Sequence, residues 1–347
     1  MSVISTILLV AFAEPIATFM NAPSDALHET TSYIRICGCG ITFIISYNVL
    51  GAIFRGIGDS KTPLLTVAIA CVINVIGDLV FIIVFQMGAT GAALATILAQ
   101  AVSVLISFII IRHKDLPFRI SYKEIRFEKW YAKKIFMIGI PVALQELLVG
   151  FSFIFIQSTV NTIGVVESAA IGVGEKVCAF LMLVASAYMQ SMAAFVAQNN
   201  GAGKHGRAVQ ALKYGIITAL IAGFVMGMLA FFGGSYLAGI FTNDHKVILA
   251  AHDYLRAYAI DCLLTAMLFC FIGYFNGCER TIFVMIQGIV GAFGVRIPLV
   301  TLFNKLENGS LFYIGLATPA SSVVQISLCF FAFFIFEKRF ENKNMIL

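Results

Sequence analysis

Apolar windows of about 20 residues, each long enough to cross a bilayer as a helix, recur from one end of this chain to the other with only short polar breaks between them. A backbone inside hydrocarbon must satisfy its own hydrogen bonds, so each window is predicted to be a helix. Barrel strands would instead show alternating segments of roughly ten residues, which the sequence lacks. With 60% hydrophobic and 12% charged residues, the chain has too little polar surface to coat a water-soluble globule of this size, and lipid is the expected solvent for most of it. The fold class is therefore an all-α membrane protein, a polytopic helical bundle.

With Gly, Pro and charge as punctuation, nine complete spans are expected, near 31–55, 62–86, 88–111, 135–161, 168–198, 208–233, 247–275, 281–303 and 310–336. Residues 1–13 form a further apolar stretch, too short to cross, that runs into Glu14 and Pro15. The net charge of +5 has a topological pattern. One set of alternate breaks carries sixteen Lys and Arg, eight of them between Arg112 and Lys134, and the opposite set carries only Lys246 and Lys305. Positive residues stay on the cytoplasmic side, which predicts a cytoplasmic C-terminus and a plasma-membrane protein. The basic stretch is then a linker between bundles, and no nucleic-acid partner is expected.

The eight cysteines (Cys37, Cys39, Cys71, Cys178, Cys262, Cys270, Cys278 and Cys329) lie mainly in apolar segments without metal-site spacing, and read as small buried hydrophobes. The five histidines fall in or near breaks and form no metal-ligand or triad spacing, and there is no GxSxG or phosphate loop. The chain is not expected to be an enzyme or to need a cofactor.

An internal repeat appears at an offset of 221, pairing Tyr33 with Tyr254, Arg35 with Arg256, Phe54 with Phe275 and Gly56 with Gly277. Parallel repeats are a common transporter plan. With a second half starting near 133, about 89 residues of the first have no counterpart, so the expected parent plan is two pseudo-symmetric six-helix lobes of which the first two and a half helices are missing. The expected organisation is an incomplete N-terminal lobe over 1–112, a basic cytoplasmic linker over 113–134, a C-terminal six-helix lobe over 135–336 and a cytoplasmic tail over 337–347.

Ionisable groups inside spans are costly and are functional suspects. Asp261 lies near the middle of its span and is the first candidate for an ion-coupling site, with Na+ a possible ligand; the alternative is a fixed ion pair with Arg256 or Arg296. Glu146, beside Gln145 and just beyond Pro141, is the second, because a proline in a helix frees backbone carbonyls. Asn74 and Asp78 stand four apart on one helix face, to share a ligand or bond each other. Glu175, Asn161, Arg256 and Arg296 complete the set of cavity candidates, although for Glu175 beside Lys176 snorkelling or an interhelical pair is the plainer reading. Among aromatic and sulfur side chains, Phe153, Phe155, Phe180, Met182, Tyr188 and Met189 are candidates to line a pocket for flat cations.

The motifs FRGIGDSKTP (54–63), NVIGDLVF (74–81), GATGAALATILAQ (88–100), GIPVALQE (139–146), AIGVGEK (170–176), FVAQNNGAGKHGRA (195–208) and VRIPL (295–299), in this order and spacing, resemble the MATE family of multidrug and toxin extrusion antiporters over essentially the whole chain. The resemblance implies two bundles around a central cavity that exchange small amphipathic organic cations for H+ or Na+ by alternating access, in a monomer within the lipid bilayer. The family's first-half coupling carboxylate belongs to a helix with no counterpart here. A lipid-linked saccharide flippase of the same superfamily is the alternative, and a nonfunctional truncated remnant is another.

Overall fold

In the computed structural model, residues 2–19, 24–114, 128–306 and 310–344 are described, and among them the secondary structure is helical throughout. The chain divides into two compact units, Met1–Ile125 and Arg126–Leu347.

The first unit contains α1 (Ser2–Ala11), α2 (Ala13–Phe19), α3 (Ser24–Cys39), α4 (Ile41–Gly56), α5 (Lys61–Asp78) and α6 (Gly88–His113). A π-helical stretch, Leu79–Val84, continues α5. The span expected at 31–55 begins earlier and is bent by 54° between α3 and α4, with Gly40 at the break. Of the apolar stretch 1–13, residues 2–13 form α1 and the start of α2, broken between Ala11 and Ala13. The small residues of the GATGAALATILAQ run pack inward on α6: Gly91, Ala93, Ala95 and Ala99 are buried, which lets neighbouring helices approach closely.

The second unit contains α7 (Lys129–Asn161), α8 (Val165–Gly201), α9 (His205–Gly239), α10 (His245–Gly277), α11 (Thr281–Ile289), α12 (Ile297–Leu306) and α13 (Leu311–Asn344). A π-helical stretch, Val290–Arg296, joins α11 to α12 in one span. Eight helices among the described residues are long and apolar enough to cross a membrane, and the bent pair makes a ninth if it is one span. Two expected boundaries need correction. The linker expected over 113–134 ends sooner, because α7 starts at Lys129; residues 115–127 of it lie outside the described residues. Of the tail expected over 337–347, residues 337–344 continue α13, and 345–347 lie outside the described residues. Glu, Lys and Arg favour helices, so the loss of apolar character there ended the hydrophobic run without ending the helix.

Tight turns connect these rods. After α4, Ile57, Gly58 and Asp59 donate backbone bonds back to Ile53, Arg55 and Phe54, with Gly58 at φ 89°. Ala202, Gly203 and Lys204 repeat that pattern after α8, with Gly203 at φ 71°. Left-handed backbone at a helix end is the conformation for which Gly carries no Cβ penalty. The turn after α10 has the same bonds at Cys278, Glu279 and Arg280, but its left-handed residue is Glu279, at φ 59°. Glu279 stands 221 residues after Gly58, so the repeat spacing seen in the sequence also aligns the two turns.

Asp59 shows how such a turn launches the next helix. Its carboxylate accepts from the Thr62 amide (3.1 Å) and from Lys114 Nζ at the end of α6 (2.6 Å). Burial pushes its pKa up, but the Lys114 and Thr62 hydrogen bonds outweigh that and hold it at about 2. Lys134 and Glu279 pair at 2.9 Å between the start of α7 and the turn after α10.

Four of the eight cysteines, Cys178, Cys262, Cys270 and Cys329, are buried as expected. Cys39 and Cys71 are exposed on helices that meet a lipid surface, where a thiol is as acceptable as in a core.

Candidate functional site

The second unit encloses a cavity of about 250 Å³ lined from α7, α8, α10, α11, the Val290–Arg296 stretch and α13. Glu146, Gln145, Asp261 and Arg296 all face it, with Phe153, Met182 and Met189 on its apolar side. Four of the polar candidates and three of the six aromatic or sulfur candidates are therefore brought together.

Asp261 is the most enclosed of the acids among the described residues, 2% exposed in the middle of α10. Thr265, one helical turn on, donates to Oδ2 at 2.8 Å, and Ser322 of α13 donates to Oδ1 at 2.6 Å. Two hydroxyl donors suit a carboxylate, whose oxygens only accept when ionised. The Thr318 hydroxyl, also facing the cavity, is buried without a hydrogen-bond partner. These oxygens are hard donors that fit a proton or a small cation such as Na+. Among the described residues no cluster of three or more His, Cys, Asp or Glu could hold a metal ion.

The ion pairs considered for Asp261 are not formed. Arg256 sits five residues earlier on the same helix, about 140° around it at 3.6 residues per turn. Its exposed side chain (45%) lies 3.8 Å from Asp253 and stacks over the Phe231 ring. Arg296 shares the cavity but directs its Nη1 to Ser152 Oγ (3.0 Å) and sits over the Phe153 ring, 4.6 Å from its centroid.

Glu146 is solvent-accessible where Asp261 is not, so the two acids sit at different depths of one cavity. Gln145 is buried beside it. Pro141 stands inside α7 one turn before them and deprives the helix of one amide donor.

Other candidates lie elsewhere. Asn161, at the end of α7, accepts from Gln157 (2.8 Å) and Ser168 (2.7 Å) and so closes the turn into α8 rather than lining the cavity. Glu175 is half-buried on α8 outside the cavity lining, and its Oε1 has no hydrogen-bond partner, so the interhelical pair expected for it is absent. Lys176 lies over the Phe241 ring instead. Asn74 and Asp78 belong to the first unit. They do not bond each other: Asn74 donates to Thr96 of α6 at 3.4 Å, while Asp78 Oδ1 is buried without a partner. Phe155, Phe180 and Tyr188 also fall outside this cavity's lining.

A second polar cluster, which the sequence left unmarked, ties α13 to the ends of α8, α9 and α10. Glu337 accepts from Tyr274 (2.8 Å) and meets His205 Nε2 at 3.0 Å, and the other ring nitrogen of His205 faces Asn200 Oδ1 at 3.0 Å. Its members are spread over 138 residues and two of them sit at ordinary turn positions, so no spacing betrays them.

The MatE family model matches residues 1–80 and 141–302. Among curated relatives, the chain is similar to "Probable multidrug resistance protein YpnP" of Bacillus subtilis (strain 168), 28% identical over 84% of this chain and 65% of that protein. It is similar also to "Multidrug export protein MepA" of Staphylococcus aureus (strain bovine RF122 / ET3-1), 26% identical over 86% of this chain and 66% of that one. The chain thus spans about two thirds of the length of these relatives. Two solved structures share its fold. One, a MATE in complex with MaL6, has a TM-score of 0.89 at 19% identity, over 95% of this chain and 75% of its own. The other is a MOP superfamily transporter from Pyrococcus furiosus, described as having a binding pocket of reverse polarity, with a TM-score of 0.90 at 19% identity over 95% of this chain and 74% of its own.

Proposed function

The chain belongs to the MATE family of membrane transporters, and from that premise we propose that it exports amphipathic organic cations in exchange for an external proton or sodium ion, with Asp261 as the coupling group. The observation that carries this reading is the state of Asp261: a carboxylate at mid-span, facing a cavity, held by two hydroxyls and joined to no cation. A negative charge in that setting is costly unless a positive species accompanies it. The coupling ion and the cationic drug are two such species. When one is bound the other loses its reason to be there, and that mutual exclusion is the requirement of an antiporter.

Glu146, nearer the cavity's accessible part, serves in this reading as the first acid an entering cation meets. Phe153, Met182 and Met189 supply the apolar and π surface that a flat organic cation favours. Alternating access would then present the site to one side of the membrane at a time. The orientation rests on charge. Lys204 and Arg207, Arg280 and Lys338 belong to the breaks rich in Lys and Arg, and the His205–Glu337–Tyr274 contacts gather those breaks at one end of the second unit. That end is taken as cytoplasmic in a plasma-membrane protein.

A flippase for lipid-linked saccharides would need several cationic contacts for phosphate. The cavity has one guanidinium against two carboxylates, which favours the cation exporter.

The test is efflux of ethidium from cells that carry the wild-type chain or Asp261→Asn. Efflux is expected to fall at least about tenfold in the variant, the scale set by losing a charge-assisted interaction. Equal efflux in both rejects Asp261 as the coupling residue.

A further inference from the structure

A groove between α9 and α13 takes no part in the export reading. Both helices pack on α10 and leave between them a space of about 740 Å³ that shares no lining residue with the Asp261 cavity. Leu212, Lys213 and Ile216 line one wall and Phe330, Phe334 and Lys338 the other, each set recurring at three or four residues and so forming one helix face. Phe271 of α10 is the floor, 1% exposed, with its ring centroid 4.8 Å from that of Phe330. Phe330 and Phe334 are 40% and 67% exposed, so the groove offers aromatic surface to the surrounding lipid.

Charge is confined to the end where α9 begins and α13 finishes, two helix ends that the 3.0 Å contact of His205 with Glu337 brings to one level. Lys213 stands eight residues beyond His205, about 12 Å along a candidate span, and Lys338 directly follows Glu337. Side chains on a helix lean toward its N-terminus. Because α9 runs away from this end and α13 runs toward it, Lys213 leans up to the end and Lys338 leans back from it. The two side chains therefore converge on the stretch of groove between them. Neither has a hydrogen-bond or ion-pair partner among the described residues. Glu337 does not neutralise them, because its carboxylate accepts from Tyr274 (2.8 Å) and meets His205. Two like charges held over an apolar face repel, and an anion between them removes that cost.

We infer that this groove binds an anionic phospholipid, with the phosphate between Lys213 and Lys338 and an acyl chain laid along Phe330 and Phe334. One lysine near the end of a span reaches toward any headgroup layer. Two lysines from different helices, converging at the mouth of one apolar groove, select for net charge. Basic sites between membrane helices suit anionic headgroups, whereas the choline of phosphatidylcholine would bring a third cation. The inference is independent of the export reading, since the groove and the Asp261 cavity have no residue in common.

The chain has a single tryptophan, Trp130 at the start of α7, so Trp130→Phe gives a silent background in which Phe334→Trp places a fluorophore in the groove. The full chain is reconstituted in phosphatidylcholine vesicles doped with brominated phosphatidylglycerol or brominated phosphatidylcholine of the same acyl chains, and bromine quenches tryptophan on contact. Phosphatidylglycerol is expected to be preferred about tenfold at this reporter, the scale of two lysines acting on one anionic headgroup. A reporter on the exposed flank of α5, Val72→Trp, should show a preference of no more than about twofold. Lys213→Gln and Lys338→Gln should each lower the groove preference about threefold and together erase it, while Lys213→Arg should retain it. Equal quenching by the two lipids at Phe334→Trp, quenching by neither because a second copy of the chain covers the groove, or an undiminished preference in the double lysine variant overturns the inference. A preference as large at Val72→Trp overturns it too, as does relief of the quenching by millimolar glycerol phosphate, which would assign the lysines to a soluble anion. Native mass spectrometry of the unsubstituted chain, with both lipids supplied in equal amounts, reads the same preference without a reporter. Equal retention of the two lipids there defeats the idea even if a variant fails to fold.

Discussion

Asp78 on α5 and Asp261 on α10 are both acids within apolar helices, yet their surroundings differ in kind. The most apolar window of α10 is 67% buried, packed between α8, α9 and α13, whereas that of the α5 span is 11% buried within the first unit. Asp261 consequently meets hydroxyls from its own helix and from α13, while Asp78 keeps one buried oxygen without a donor. An acid in a membrane helix is thus only half of a site. The other half is the set of donors that a neighbouring helix brings, and that set depends on packing around the helix rather than on the acid.

The largest test of this contrast sets the two acids against each other in the ethidium assay. Asp261→Asn should lower export at least about tenfold and Asp78→Asn no more than about twofold, because only the first removes a charge held by two donors. Comparable losses would place coupling in both units. Packing comes next. A methyl on Gly223 of α9 would stand 2.7 Å from the Cys262 carbonyl and 2.8 Å from Ala266, so Gly223→Ala should destabilise by about 1–3 kcal/mol. Gly150 of α7 has nothing within 4 Å of the same position, so Gly150→Ala should stabilise by about 0.5–1 kcal/mol through helix propensity. Thermal unfolding in detergent reads both signs.

Ser322→Ala removes one donor from Asp261 and should cost about 1 kcal/mol, the typical net worth of a hydrogen bond. An unchanged melting temperature would mean that water or Thr318 takes over. The smallest effect concerns Asp59, outside the spans. Its folded pKa of about 2 lies below the ordinary 3.8, so its contribution to stability is fully present above pH 3.8 and is lost as the pH falls through about 2. Removing its partner in Lys114→Ala should raise that pKa, shrinking the acid-side loss and lowering stability near pH 7 by the same amount, a modest one because Lys114 is half-exposed.

Much of the fold could be read from the chain because lipid imposes a single rule, an uninterrupted apolar length, that survives without tertiary information. The misplaced ends have the same origin: Lys129 and Glu337 are charged, so hydropathy stops before the helix does. Asp261 was legible because a mid-span carboxylate is rare. Its donors were not, since Thr265 and Ser322 are ordinary residues in such helices and Ser322 is 61 positions away, although an acid followed by Thr at i+4 is a usable signal. Arg256 drew notice through its nearness in sequence to Asp261, and helical geometry turned it to another face. Asn161, a cavity candidate in the sequence, stands at the end of its helix, where a residue is better placed to close the turn than to meet a ligand.

Ser322 and Glu337 lie fifteen residues apart on α13, both beyond Pro319, on a stretch of about 22 Å at 1.5 Å per residue. One end of this rod grips the buried acid and the other is clasped by Tyr274 and His205. A twist that frees the serine from its carboxylate also swings the far glutamate, so a change at Asp261 is written, about 22 Å away, into contacts that water can reach.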